Sequence, residues 1–158
     1  MELKIDDVPL VMGATIDPDR LSDPPFHKVG LIRRFLTGRS IHRVLFTADD
    51  ARLGCLADDF SIYPCTDSYL DEDRRWNTQA SLFLVQDRLE EVVFRVLDAR
   101  YAAGNFTDRF TELCTAILGD PRPGPNTGTI WHNGNTVVSG TLHPNGHEAE
   151  FRFRVKDR

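Results

Sequence analysis

The basic segment 28–43 is the part of this 158-residue sequence whose residue types point most clearly to binding chemistry. Its cations are Lys28 and four arginines, Arg33, Arg34, Arg39 and Arg43, and no acidic residue lies among them. The whole chain has a net charge of −5, so a segment of +5 leaves −10 for the remainder. Arginine grips carboxylate or phosphate through its planar fork, and Gly38 would let backbone N–H groups approach an anion. We expect the four arginines to engage an anionic ligand or an acidic partner; the alternative is ordinary surface charge, offset by acidic residues elsewhere.

The histidines do not predict a metal site. Three of the five, His132, His143 and His147, lie on the C-terminal tail, where the strand pairing predicted below spreads them along a sheet. A metal site needs three or four converging ligands. We therefore expect no bound metal, and histidines near turns at the surface instead.

Patterns for catalysis are equally weak. The acidic run 71–73 lacks the glycine of an EF-hand loop and is followed by two arginines. Ser40 has no GxSxG context, and no glycine-rich phosphate loop is present. Paired carboxylates need a cleft and an apolar neighbour that shifts a pKa, which a polar loop does not supply. We expect no catalytic residue and no cofactor.

The cysteines and the overall charge bear on location and partners. Cys55, Cys65 and Cys114 are widely spaced, which favours reduced thiols that act as small apolar residues; a reactive Cys65 would need a nearby base. Reduced thiols and a charged N-terminus predict a cytoplasmic protein. No apolar run reaches the ~18–20 residues of a membrane span, and a net negative charge disfavours nucleic acid. We expect a protein partner or self-association, with neither membrane nor nucleic acid.

The last thirty residues carry the strongest structural pattern. Asn133-Gly134 and Asn145-Gly146 are both typical of two-residue type I′ turns between antiparallel strands. The expected pairs are Trp131 with Thr136 and Thr129 with Val138 across the first turn, and Leu142 with Ala149, Gly140 with Phe151 and Val138 with Phe153 across the second. Both turns place the same residues on one side, so we predict a three-stranded meander.

This meander has one apolar and one charged face. The predicted buried residues are Trp131, Val138, Leu142, Phe151, Phe153 and Val155. The predicted solvent-facing residues are Glu148, Glu150, Arg152 and Arg154. Phe151 would cover the gap that Gly140 leaves.

A helix over 105–118 is the natural cover for the apolar face. Asn105 is a good N-cap, and Gly119 followed by Pro121 ends the helical pattern. The apolar stripe consists of Phe106, Phe110, Leu113, Cys114, Ile117 and Leu118. A pocket between this helix and the sheet would be lined by Phe110, Trp131, Phe151 and Phe153.

The first half of the chain is less clearly patterned. We expect a strand at 3–5 or 10–12 and a helical turn at Asp17-Pro18. A second start signal, Asp23-Pro24-Pro25, precedes apolar residues at helical spacing and predicts a short N-terminal helix that ends at Gly38. Gly30 lies inside that run, so an extended conformation remains the alternative.

The middle of the chain predicts further strands at 41–47 and 81–85. Residues 89–97 fit either a helix or a strand, and we favour a strand in a hairpin because the run is β-branched and aromatic. Residues 48–79 are acidic and turn-rich, which predicts a long surface excursion with at most one helical turn near 49–56.

These elements predict a single α+β domain over 1–158. Its antiparallel sheet of about five strands ends in the C-terminal meander and packs on the helix 105–118, with the shorter N-terminal helix beside it. A well-defined sheet without a catalytic constellation favours a non-enzymatic binding or interaction protein that uses the segment 28–43. The alternative is a small enzyme or small-molecule binder with the apolar pocket described above.

Overall fold

The computed structural model describes residues 1–36, 39–55, 61–62, 78–97, 103–124, 128–146 and 148–156. Strands occupy 59% of the described residues, which contain one helix of seven or more residues. The predicted α+β class, with two helices packed on about five strands, is therefore wrong. The fold is mainly β, because the N-terminal half forms strands where the sequence pattern suggested a helix and a surface excursion.

The strands fall into two antiparallel sheets. In chain order they are β1 (Glu2–Ile5), β2 (Val8–Val11), β3 (His27–Leu36), β4 (Arg39–Asp49), β5 (Leu53–Cys55), β6 (Ser61–Ile62), β7 (Thr78–Val85), β8 (Arg88–Leu97), β9 (Arg122–Pro123), β10 (Thr129–Asn133), β11 (Thr136–Leu142) and β12 (Glu148–Val155). The large sheet has the order β3-β4-β7-β8-β12-β11-β10-β9, and the small sheet has the order β2-β1-β5-β6. A helix, α1 (Ala103–Leu118), connects β8 to β9. No helix in the described ranges combines the length and apolar character that a membrane crossing needs.

The predicted N-terminal helix is wrong, and the extended alternative is correct. Residues 27–36 form β3, which pairs along its length with β4. The register shifts between Lys28 and Gly30, and Gly30 has a φ of +151°, which a side chain would strain. Glycine inside the run therefore marks a β-bulge, and the β-branched residues around it suit a strand.

The prediction for 49–56 allowed at most one helical turn, and the described residues there contain a strand instead. Leu53–Cys55 forms β5, which pairs with β1 and joins the small sheet. The rest of the excursion, residues 56–60 and 63–77, lies outside the described residues. The turn predicted at Asp17 is confirmed as a short 3-10 helix, Pro18–Leu21, in which the Asp17 side chain accepts a hydrogen bond from the Asp19 N–H.

The ambiguous run 89–97 is a strand, as predicted. It belongs to β8, which pairs with β7 through a tight turn at Gln86 and Asp87. Both turn residues have positive φ, of 49° and 60°, which is the backbone of a type I′ turn. The β-branched and aromatic core of the run therefore outweighed its helical spacing.

The C-terminal meander forms, with one of its two predicted registers corrected. The second turn pairs Leu142 with Ala149 and Gly140 with Phe151, as expected. Across the first turn Trp131 pairs with Val138, two residues away from the predicted partner. The two-residue loop there is Gly134-Asn135, and Gly134 has a φ of +55°. Glycine at the first central position is typical of a type II′ turn, which explains why the loop begins one residue later than predicted. A shift of two residues keeps every side chain on its predicted face.

Helix α1 covers the apolar face of the meander through an aromatic cluster. The Phe110 ring stacks on Phe151 at a centroid distance of 4.3 Å, and it meets Trp131 and Phe153 edge-on at 5.9 and 6.2 Å. Ile117 and Leu142, both predicted to be buried, are exposed. Each lies at or beside the end of its element, where the neighbouring element no longer covers it.

The core continues from this cluster to the small sheet. Leu3, Ile5 and Leu10 of the small sheet belong to the same buried cluster as the inward residues of β4, β7 and β8. One face of the large sheet is thus covered by α1 at one end and by apolar residues of the small sheet at the other. The opposite face, which we call the outer face, carries the polar residues of the same strands.

Gly140 provides a test of the aromatic packing. A Cβ placed on Gly140 would lie 3.1 Å from Cδ1 of Phe110 and 3.5 Å from Cδ1 of Phe151. Gly140→Ala should therefore lower the free energy of unfolding by about 1–3 kcal/mol, as overpacking does in other cores. Urea unfolding measures this change. Ser139→Ala on the outer face of the same strand is the control and should stay within about 0.5 kcal/mol of wild type; equal effects of the two substitutions would contradict the packing described.

Candidate functional site

Strict alternation along β12 places charged residues on the outer face. Ala149, Phe151 and Phe153 point into the core, so Glu150 and Arg152 face outward. The register pairs these two residues with Arg95 and Val93 of β8. Because side chains directly opposite one another in a sheet interact, the charges of neighbouring strands meet there.

The charged side chains form a chain of ion pairs across three strands, which we call the outer-face network. Glu91 accepts from Nη1 of Arg43 and from Nη1 of Arg152, both at 2.9 Å. Glu150 accepts from Nη2 of Arg152 at 2.7 Å and from Nε of Arg95 at 3.0 Å. Residues more than forty positions apart in the sequence thus bind one another because their strands are neighbours or near neighbours.

Glu91 is the most buried charge of the network, with a side chain that is 5% exposed. Its partner Arg43 lies over the Phe83 ring, with Cζ 5.8 Å from the ring centroid. The Nε of Arg43 is buried and has no hydrogen-bond partner among the described residues. A buried ion pair is strongly destabilised when one member is removed, so the two residues depend on each other.

The arginines around Glu150 favour its ionised form. Burial would raise the pKa of its carboxyl, but hydrogen bonds and charge from Arg152 and Arg95 outweigh this, and the net pKa lies below the ordinary value. Both carboxylate oxygens are therefore occupied by guanidinium groups at neutral pH.

A cleft opens on the outer face beside this network. Its volume is about 450 Å³. Its lining comes from β10, β11 and β12, from the residue after β11, and from the two glycines that flank residues 125–127: Gly124, Gly128, Thr129, Ile130, Val137, Ser139, Thr141, His143, Glu150, Arg152 and Arg154. The sequence indicated which face of β12 was polar, but not that this face is concave.

A second open surface is the edge of the large sheet at β3. Within the described residues, β3 pairs with β4 alone and ends the sheet. Three apolar side chains are exposed there: Val29 and Leu31 at 55% and Ile32 at 40%. Edge strands with exposed apolar side chains are templates for pairing with another chain.

The predicted basic residues divide between these two surfaces. Arg43 is part of the outer-face network and is mostly buried by it. Arg33, Arg34 and Arg39 belong to the β3–β4 hairpin, but their side chains lie outside what the structure describes. The hairpin pairing nevertheless brings their backbone positions toward one end of the sheet, where Leu36 pairs with Arg39.

The four aromatics predicted to line a pocket are core residues. Phe110, Trp131, Phe151 and Phe153 are at most 2% exposed, and Phe110 contacts the other three rings. The space between α1 and the sheet is filled by these contacts. The cleft lies on the opposite face of the same strands.

The thiols and histidines offer no converging set within the described residues. Cys114 is a buried free cysteine, and burial raises the pKa of its thiol to about 12. A neutral, buried thiol is a poor nucleophile. In the described ranges no group of three or more His, Cys, Asp or Glu side chains is placed to share a metal ion.

Glu150→Gln should reduce stability in a pH-dependent way. The folded-state pKa lies below the ordinary value of 4.5, so the stability from Glu150 is present above that pH and is lost as the pH falls through the folded-state pKa. The free energy of unfolding, measured with urea, should therefore differ most between wild type and variant near pH 7, and the difference should shrink toward pH 3. Glu148→Gln, whose side chain has no ion-pair partner in the described region, should show no such narrowing. If the loss of unfolding free energy in Glu150→Gln were the same at every pH, the lowered pKa of Glu150 would be contradicted.

Glu91→Gln tests the buried end of the network. The substitution leaves Arg43 buried with an uncompensated charge, and we expect a loss of about 3 kcal/mol or more in the free energy of unfolding. Glu90→Gln is the matched control, since Glu90 contacts Arg88 at 3.7 Å in a more exposed pair and should cost at most about 1 kcal/mol. Similar midpoints for the two variants in chemical unfolding would show that the network contributes little.

Comparison with known proteins gives no further guide to these surfaces. No family model, curated protein or solved structure matches the chain. The function must therefore be argued from the geometry of the outer face and of the β3 edge.

Proposed function

We propose that this is a non-enzymatic interaction protein that binds an acidic, extended segment of a partner protein along β3. The observation that carries the proposal is the ten-residue edge strand His27–Leu36, whose outer side is unpaired within the described residues and whose apolar side chains are exposed. A strand of this kind can accept a further strand through its free backbone groups.

The apolar side chains of β3 favour an occupant. Val29, Leu31 and Ile32 are next to one another along the edge and are each at least 40% exposed. Natural edge strands are usually protected by charge, a bulge, proline or shortness. β3 has cations and a bulge near Gly30, but it is long, free of proline and leaves its apolar side chains uncovered. Full burial of one such side chain contributes about 1.5–3 kcal/mol, so covering even part of three is a useful gain in binding.

The charge of the hairpin selects the kind of partner. The acid-free segment that includes β3 carries five cations, and the four other than Arg43, which is paired with Glu91, remain to attract a partner. An acidic strand would be attracted to the edge, and opposite charges across neighbouring strands stabilise the pair. A second copy of β3 would bring like charges together, so a different, acidic partner is favoured over self-pairing.

The proposal includes a cytoplasmic location and excludes nucleic acid as the partner. Its support is the buried free thiol of Cys114 and the net charge of −5. The alternative, a small-molecule pocket between α1 and the sheet, has no support from the geometry, because the rings of Phe110 and its neighbours occupy that space.

Strand addition can be tested with synthetic peptides. An end-capped eight-residue peptide of alternating valine and glutamate should bind, protect amides of residues 27–36 from hydrogen exchange, and lose affinity as salt rises. The same peptide with lysine in place of glutamate should bind at least about ten-fold more weakly, because its charge repels the hairpin. Isothermal titration calorimetry and hydrogen exchange provide the two measurements.

Variants localise the effect. The double substitution Leu31→Thr and Ile32→Thr keeps strand-forming residues but removes apolar contact, and it should weaken the acidic peptide by about ten-fold. Val11→Thr, at an exposed apolar position on the edge of the small sheet, should leave affinity unchanged. Equal binding of both peptides, absence of protection over 27–36, or concentration-dependent dimers that the peptide does not disturb would each refute the proposal.

A further inference from the structure

The cleft on the outer face has the shape and charge of a ligand site, and we propose that it binds a small organic anion with an apolar body. This inference is independent of the β3 edge, since the cleft is lined by β10, β11 and β12 at the other end of the large sheet. The volume of about 450 Å³ falls within the range of about 300–1,000 Å³ typical of small-molecule sites.

The lining is divided between apolar and polar sides. Ile130 and Val137 contribute aliphatic surface from β10 and β11, and both are only partly buried by the protein. Ser139 and Thr141 contribute hydroxyls from the same outer face of β11. An apolar wall with a few hydroxyl groups suits a ligand that has a hydrophobic body and one polar head.

The two glycines that flank residues 125–127 are joined by a backbone hydrogen bond at the border of the cleft. The Gly124 N–H donates to the Gly128 carbonyl at 2.8 Å, which closes this end of the loop between β9 and β10. A Cβ on Gly124 would lie 2.8 Å from Cγ1 of Ile130, so a side chain there would displace the apolar wall. Glycine at this position therefore preserves the packing of Ile130 at the cleft.

The charge balance of the cleft favours an anion. Both oxygens of Glu150 and both oxygens of Glu91 are already bound by arginines of the outer-face network. Arg154 stands opposite Glu91 in the strand register, but Glu91 is fully engaged by Arg43 and Arg152. Arg154 has no hydrogen-bond or ion-pair partner within the described residues and is exposed at the cleft.

Arg154 is therefore the free cation of the cleft within the described part of the chain. Its guanidinium can bind a carboxylate through two parallel N–H groups, whereas a cationic ligand would find no unpaired carboxylate among the lining residues. Arg152 is held by Glu91 and Glu150, so it is not available to a ligand. The chemistry thus matches a monocarboxylate whose apolar part lies on Ile130 and Val137.

The test uses 2-naphthoate and its uncharged analogue 2-naphthamide as probes. Calorimetry and amide shifts in NMR spectra should show naphthoate binding at the cleft, with backbone shifts at residues 137–141 and 150–154. Naphthamide should bind about ten-fold more weakly, which is the loss expected when a charge-assisted hydrogen bond is removed. Arg154→Gln should reduce naphthoate affinity to the level of naphthamide and leave naphthamide affinity unchanged.

Two further variants make the outcome decisive. Arg20→Gln removes an exposed arginine from the short 3-10 helix and should not alter either affinity. Ser139→Glu places a negative charge in the cleft and should abolish naphthoate binding while the protein stays folded by circular dichroism. No naphthoate binding at millimolar concentration, equal affinity for the two probes, or equal losses in Arg154→Gln and Arg20→Gln would each overturn the proposal. None of these results would bear on peptide binding at β3.

Discussion

The packing of Phe110 into the meander is the contact on which the rest of the structure depends. Gly140 leaves a gap on the apolar face, and the rings of Phe110 and Phe151 fill it at a centroid distance of 4.3 Å. Because α1 covers that face, the polar and charged residues of the same strands lie on the opposite face. The outer-face network and the cleft are therefore consequences of where the aromatic residues lie.

The C-terminal third could be predicted because its strand pairing is determined by residues close together in the sequence. Alternation along β12 and the Asn145-Gly146 turn determine a register without knowledge of any distant residue. The first hairpin shows the limit of this reasoning, since Asn133-Gly134-Asn135 offers two overlapping two-residue loops. Both loops keep Trp131 on the same face, so the pattern of burial was correct while the pairing was wrong by two residues.

The N-terminal half could not be predicted because its stability comes from distant partners. β3 has helical spacing in its apolar residues, but a strand forms because β4 pairs with it along nearly its whole length. β5 is three residues long and would be unstable alone; it exists because β1 lies beside it. Local propensity is a weak prior in such segments, and tertiary pairing decides the outcome.

The outer-face network and the cleft could not be predicted for the same reason. Arg43 looked like a free cation in a basic segment, yet strand order brings it to Glu91, 48 positions away, and the pair is largely withdrawn from solvent. Arg154 looked like one of several surface charges, yet it is left without a partner because Arg43 and Arg152 occupy both oxygens of Glu91. The sequence identifies which residues are charged, but only the strand order shows which charges neutralise one another and which remain for a ligand. The charges available for recognition in this protein are thus set by competition among arginines for two buried or half-buried carboxylates.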